Sequence, residues 1–294
     1  MFTTTLWRAG LYLATLWPLA VSAIGTSVWH EQPGPSRVPT PLAAQLLKTG
    51  LYMLSGEGNS LLRLSTNGAI VVDGQAPSHF AALRQQARRI GEQPIRLLIT
   101  TDHHQEHTAN NQQFLADGAQ IVAQENVKRR LATANNNGAA IGLPTKTYDD
   151  HLSLTLGGVP VRLMHFGSAH TDGDSVVYFP DLKVIAIGHL FASPPDPDFS
   201  SGGSLVGWGA VLGEILKLDF DVVVPARGST MARADLVAYR GKIDTMVSRA
   251  RSLVKKGVPK EQLLFELETA DLGWRLDWTG ERLERFYTEL SHTP

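Results

Sequence analysis

The 294-residue chain contains no cysteine. That excludes disulfides, thiolate nucleophiles and thiolate metal ligands, and leaves imidazole and carboxylate as the side chains able to hold a transition metal. It leaves the compartment open, because an exported protein need not carry disulfides. A surplus of one charge is also missing: 27 Lys and Arg stand against 28 Asp and Glu, a formal net charge of −1. No field of one sign is present to recruit nucleic acid or an anionic membrane, so the expected partner is a small-molecule substrate, with no nucleic acid. Composition sets no oligomeric state. The basic clusters Arg88-Arg89 and Lys128-Arg129-Arg130 fall in helix-like stretches and read as solvated faces. There is no repeat at a fixed period of 20–50 residues, which excludes solenoids and propellers.

What is present begins at the N-terminus. "MFTTTLWRAGLYLATLWPLAVSAIG" has one early cation, Arg8, an apolar stretch from Leu11 to Val21, and small residues at Ser22 and Ala23. This predicts a signal peptide over 1–23, cleaved after Ala23, and a periplasmic or secreted product. The apolar stretch is shorter than the ~20 residues needed to cross a bilayer, so no stable membrane span is expected after cleavage. A Pro-rich tether over 24–45 follows, and one domain over 46–294 includes the C-terminal helices.

Within that domain, short β-like runs ("LYMLS", "SLLRLS", "AIVVDG") are separated by the turn signals "GEGN" and "TNG". "SHFAALRQQARRIGE" reads as an amphipathic helix, and "PIRLLITT" as a buried strand. The second half repeats this order: "LSLTL", "VPVRLMHF", "DSVVYF" and "KVIAIG" as strands, a helix at "SLVGWGAVLGEILKL", a strand "DVVVP", a long helix from about Ala232 to Lys256, and two further helices. Strands leading to helices in both halves predict an α+β protein: two sheets packed together, with helices outside.

The chain has 10 histidines, and "TTDHHQEHTANN" concentrates three of them with Asp102 and Glu106. Two metal readings follow from the spacing. His103, Glu106 and His107 spell H-x-x-E-H, a zinc-peptidase pattern that requires a continuous helix through residue 103. The β-branched "RLLITT" before it and "HTANN" after it disfavour that helix. Alternatively, Asp102, His104, Glu106 and His107 are ligands on a loop leaving a strand, joined by residues from distant strands.

These residues resemble the H-x-H-x-D-H element of the metallo-β-lactamase superfamily. Three more elements follow in the family's order: "GSAHTDGD" with His170 in the ligand slot, "VIAIGHLF" with His189 in the bridging slot, and "VVPARG" with Arg227 where the last histidine would stand. "NSLLRLSTNGAIVVDGQ" resembles the opening hairpin, with Asp73 at its end. The resemblance spans roughly residues 50–255 and implies a four-layer αββα sandwich of two mixed sheets with outer helices. It also implies a hydrolase in which a metal-bound water cleaves a carbonyl-type bond in a lactam, thioester, lactone or ester.

The departures from the family pattern shape the expected site. Asp102, His104 and His170 would hold one zinc ion, with Glu106, His107 and His189 as ligands of a doubtful second site. Arg227 offers no lone pair; it would repel a second ion, bind a substrate carboxylate, or pair with Glu106 or Asp102. Glu106 would orient the nucleophile or carry a proton, and His189 would act as ligand or as proton donor. The alternative function is a degenerate member that binds a ligand with little or no catalysis. The S-x-x-K match at Ser252 and Lys255 lacks its companion motifs and reads as chance. His30, His79, His151 and His292 are expected at the surface, His165 as a strand-end packing residue, and Trp208 at the border of the site.

Overall fold

In the computed structural model, the described residues are Met1, 41–134 and 141–292. The predicted signal segment beyond Met1, the tether up to residue 40, and His30 lie outside them. The first strand, β1 (Ala43–Lys48), begins inside the stretch expected to be tether.

Two sheets form the centre. The first has the order β1, β2 (Leu51–Ser55), β3 (Asn59–Ser65), β4 (Gly68–Val72), β5 (Ile95–Ile99), β6 (Gln120–Gln124), β7 (Lys146–Tyr148). Its first four strands are antiparallel neighbours, and β4 to β7 are parallel. The second has the order β13 (Met231–Ala232), β12 (Val222–Pro225), β11 (Val184–Gly188), β10 (Val176–Phe179), β9 (Val159–Met164), β8 (His151–Leu156), with β11 and β12 parallel and the rest antiparallel.

The strand period of two sorts the side chains into layers. In β4, Ile70 and Val72 enter the core between the sheets, while Ala69 and Val71 face the outer layer with Leu83 and Phe114. In β11, Val184 and Ala186 face inward, while Ile185 and Ile187 pack with Trp208 and Ile243. Both faces are buried, which is why these strands read as continuous apolar runs. The first sheet is covered by α1 (Phe80–Gly91), α3 (Asn111–Ala116) and α4 (Glu125–Thr133). The second is covered by α5 (Leu205–Ile215), α6 (Arg233–Lys255), α7 (Lys260–Glu266) and α8 (Gly280–His292). The result is the expected αββα order. One short helix, α2 (Gln105–Thr108), follows β5.

Parallel strands share their carboxyl ends, and open α/β sheets place ligands beyond those ends. Here β4, β5, β11 and β12 run into Asp73, Asp102, His189 and Arg227 respectively. Asn59 ties the two sheets at this edge: its amide Nδ2 donates to the Pro225 and Gly228 carbonyls at 3.0 and 2.8 Å. His79 departs from expectation. It is buried rather than exposed, because the short 3-10 turn Pro77–His79 folds it inward; Gly56 leaves room for its ring. His151 and His292 are exposed.

Candidate metal centre

The β5 strand ends at Ile99, and Thr101 then anchors the loop by donating from its N–H to Asp73 Oδ1 at 2.8 Å. Asp73 holds φ +62, a left-handed backbone uncommon for a residue with a side chain, which aims its carboxylate across β5. Asp102 follows, fully buried. Its Oδ1 accepts the His104 N–H at 2.8 Å and lies 3.1 Å from His104 Nδ1; its Oδ2 lies 2.8 Å from His189 Nδ1. His104 is extended at the N-cap of α2, so no helix passes through residue 103. His103 Nε2 instead meets Ser201 Oγ at 3.1 Å, and the helical H-x-x-E-H arrangement does not form.

His170 enters from the turn between β9 and β10. Asp174 holds that turn by accepting the Thr171 N–H at 2.9 Å and its hydroxyl at 2.7 Å. His170 Nδ1 lies 2.6 Å from the Asp196 carbonyl. A carbonyl only accepts, so Nδ1 carries the proton and Nε2 keeps the lone pair. That Nε2 is buried and has no partner. An orphaned, desolvated lone pair is costly unless something binds it. His189 follows Gly188, where a Cβ would stand 2.4 Å from Thr101 Oγ1; the close approach of β11 to the loop requires glycine there.

Asp102, His104, His170 and His189 therefore converge, with one ligand atom from each lying within 4.8 Å of the others. Glu106, His107 and His189 form a second such group. His107 is buried between His189 and Asp73: Nε2 is 3.1 Å from His189 Nδ1, and Nδ1 is 3.1 Å from Asp73 Oδ2. Glu106 Oε1 lies 3.3 Å from His189 Nε2 and 3.1 Å from an Arg227 guanidinium nitrogen. Arg227 is thus occupied by Glu106, as one of the sequence readings has it. Its side chain is otherwise exposed.

The electrostatics follow from one buried anion among imidazoles. Burial alone would raise Asp102, but the charges on His107 and His189 and the hydrogen bonds of His104 and His189 hold it well below the carboxylate range. Burial disfavours charge on His104 and His189, yet Asp102, with Asp198 for the former and Glu106 for the latter, pushes both up to about 10. Burial brings His170 down to about 3, helped by the neighbouring positive imidazoles. Burial, together with the charge of Asp102, pushes Asp174 up to about 7. A buried carboxylate with imidazoles around it, one of them holding a bare nitrogen, is a donor set that suits a divalent cation, which would displace the imidazole protons on binding: N and O ligands without sulfur.

Two groups escaped the sequence reading. Asp198 caps the 3-10 turn Phe199–Ser201; its Oδ1 accepts the Ser200 and Ser201 N–H groups, and its Oδ2 lies 3.4 Å from His104 Nε2. The D-x-S-S spacing announces the cap, but nothing local announces a histidine 94 positions away. The other is a cavity of about 410 Å³ opening on His104 and His170, walled by Asp196, Pro197, Asp198, Phe199 and Ser200, with Glu281 and Arg282 of α8. Trp208 does not line it. Trp208 is fully buried behind His170, ring centroids 6.3 Å apart, and donates from Nε1 to the Leu190 carbonyl at 2.9 Å.

This is an αββα architecture with a cluster of imidazoles and carboxylates at one edge that could hold a metal ion. The model of the metallo-beta-lactamase superfamily matches residues 56–227, and the chain belongs to that superfamily. Among solved structures it is similar to a metallo-beta-lactamase from Pontibacter korlensis (TM-score 0.60, 17% identity, covering 69% of this chain and 99% of that one). It is equally similar to the DIM-1 metallo-beta-lactamase (TM-score 0.60, 17% identity, 70% and 98%). Among curated proteins it is 25% identical over 198 residues to the 2,4-dinitroanisole O-demethylase subunit alpha of Nocardioides sp.. It is 22% identical over 235 residues to the linear primary-alkylsulfatase of Pseudomonas sp.. These matches cover 65% and 64% of the chain but only 58% and 43% of the relatives' lengths.

Proposed function

We propose that the protein is an exported, zinc-dependent hydrolase of a small carbonyl-type substrate, with one ion held by Asp102, His104 and His170. The observation that carries this reading is the bare, buried Nε2 of His170 facing the Asp102 cluster. A divalent ion bound there would supply Lewis-acid polarisation of the scissile group and a water acidified toward neutral pH. The remaining work falls to the chain's own groups. Asp102 orients His104 and His189 together. Asp196, through its carbonyl, fixes the His170 tautomer. His189 keeps a proton between Asp102 and Glu106 and presents it for the leaving group, while Glu106 Oε1, steadied by Arg227, accepts the proton that the attacking water gives up and returns it to His189 Nε2.

The test pairs metal analysis with a hydrolysis panel: lactam, thioester, lactone and ester, extended to an aryl methyl ether and an alkyl sulfate because of the two relatives' names. The expected result is one zinc per chain and turnover in at least one arm. Zinc-loaded protein with no turnover in any arm overturns the hydrolase reading and favours ligand binding without catalysis. The Arg227–Glu106 pair supports that second reading, since it occupies the carboxylate a second ion would need. Export is checked separately: intact mass of the mature protein is expected to start after Ala23.

A further inference from the structure

The cavity over His104 and His170 has a wall that the family-matched segment does not supply. Residues 56–227 end before α8, yet α8 contributes Glu281 and Arg282 to the lining. Arg282 is the one lysine or arginine among the lining residues. Its guanidinium stacks over Trp278, 4.9 Å from the ring centroid, and Trp278 is itself buried against Phe286 and Phe199. Stacking fixes the plane of the guanidinium and leaves its edge as the hydrogen-bonding side. Its Nε is buried without a partner. Its terminal nitrogen is paired with Asp196, whose side chain is 60% exposed.

The other acids of the wall are already engaged. Asp198 is held by Ser200, Ser201 and His104, and Glu281 lies 3.1 Å from Arg285. The Asp196 carboxylate can return to water cheaply, because exposed ion pairs contribute little. A substrate oxyanion entering the cavity is less hydrated there and can take the guanidinium edge in bidentate fashion, satisfying the Nε as well.

We propose that Arg282 is the specificity-determining residue of this site: it selects substrates bearing a carboxylate or sulfate-type oxyanion, for which the Asp196 carboxylate is the stand-in. Arg227, the cation singled out in the sequence, is held by Glu106 and is not part of this wall. The inference rests on the hydrolase reading for its kinetic test, but its binding test does not.

The experiment uses the full mature protein. Calorimetry measures binding of hexanoate, hexanesulfonate and neutral hexanamide to wild type, Arg282→Gln and Asp196→Asn. The anions are expected to bind more tightly than hexanamide. Arg282→Gln should reduce that preference about ten- to hundredfold, the range for a charge-assisted pair. Asp196→Asn should increase the preference, because it frees the guanidinium. The larger of the two anion effects identifies the oxyanion, carboxylate or sulfate-type. In turnover, the ratio of kcat/KM for 4-nitrophenyl hemisuccinate over 4-nitrophenyl butyrate should move in the same directions. Arg282→Gln and Asp196→Asn shifting the preference in the same direction would mean the pair is only structural, and would overturn the proposal. An anion preference unchanged in Arg282→Gln would overturn it too. If wild type turns over neither ester nor any other arm of the hydrolysis panel, the hydrolase reading fails while calorimetry still decides the role of Arg282.

Discussion

Replacing Arg227 by histidine should raise the number of ions held at the site from the proposed one to two. The guanidinium lies 3.1 Å from Glu106 Oε1, and Glu106 with His107 and His189 is the second ligand group. An ion bound by Glu106 at a bond length of about 2 Å would stand roughly 5 Å from the guanidinium. Repulsion between charges of +2 and +1 at roughly 5 Å is about 7 kcal/mol at an effective dielectric of 20 and about 2 kcal/mol in water. Arg227 is 62% exposed, so the lower figure applies, and it corresponds to about a thirtyfold loss of affinity. Arg227→Ala should therefore strengthen binding of a second zinc about thirtyfold, and Arg227→His should strengthen it further by adding a donor. The stability cost is small, about 0.2–1 kcal/mol for an exposed ion pair. Zinc titration against a competing chelator, with metal counted per chain by mass spectrometry, reads the outcome. Wild type holding two ions tightly, or an Arg227→Ala variant indistinguishable from wild type, would refute the argument.

Other outcomes follow from the same geometry. Asp102→Asn keeps the shape but removes the charge that His104 and His189 share, and should weaken zinc binding more than a hundredfold in the same titration, since even residues that only hold a ligand in place by hydrogen bonding are worth about 10–100-fold. Gly203→Ala places a Cβ 2.3 Å from the His170 carbonyl oxygen and 2.8 Å from that of Asp198. Both contacts are backbone, so the variant should lower both Tm and zinc affinity; a Tm within a degree of wild type would count against it. Trp208→Ala should cost about 3–5 kcal/mol in urea unfolding. Trp208→Phe should cost less, with the lost bond to the Leu190 carbonyl worth about 1 kcal/mol.

The layers were legible in the sequence because burial writes a period into it. "AIVV" and "VIAIG" are apolar at every position, and both become strands packed on two faces. The strand ends were legible for the same reason, and with them the positions of Asp102 and His104; His170 and His189 stood out through the resemblance to the superfamily's ordered motifs. Two local misreadings have physical causes. His79 looked like a surface histidine because it stands apart from the histidine cluster, but the short 3-10 turn Pro77–His79 carries its ring inward. Trp208 follows a glycine-rich loop, which suggested the border of the site, yet on α5 it falls on the buried stripe with Leu205, Val211 and Leu212.

What stayed illegible is the set of partners that decide what each site residue does. Four of the expected ligands, Asp102, His104, His170 and His189, gather as one group, but their sharing could not be read from spacing. His189 belongs to both ligand groups, and one carboxylate, Asp102, serves His104 and His189 at once. Asp73, Asp198 and Arg282 reach the site from a hairpin end, a capped turn and the C-terminal helix, separated from the histidine cluster by up to about 180 positions. Side-chain pairing over such separations depends on register and sheet twist, which a linear pattern does not encode. The substitutions at ligand slots illustrate the consequence. Read singly, Arg227 is a lost ligand and Glu106 a lengthened one. Placed together at 3.1 Å they are one device, since the longer carboxylate reaches both His189 and the guanidinium, and the guanidinium supplies the positive charge that an ion would otherwise bring. The proposed loss of a second ion is therefore a property of the pair, and neither residue alone carries it.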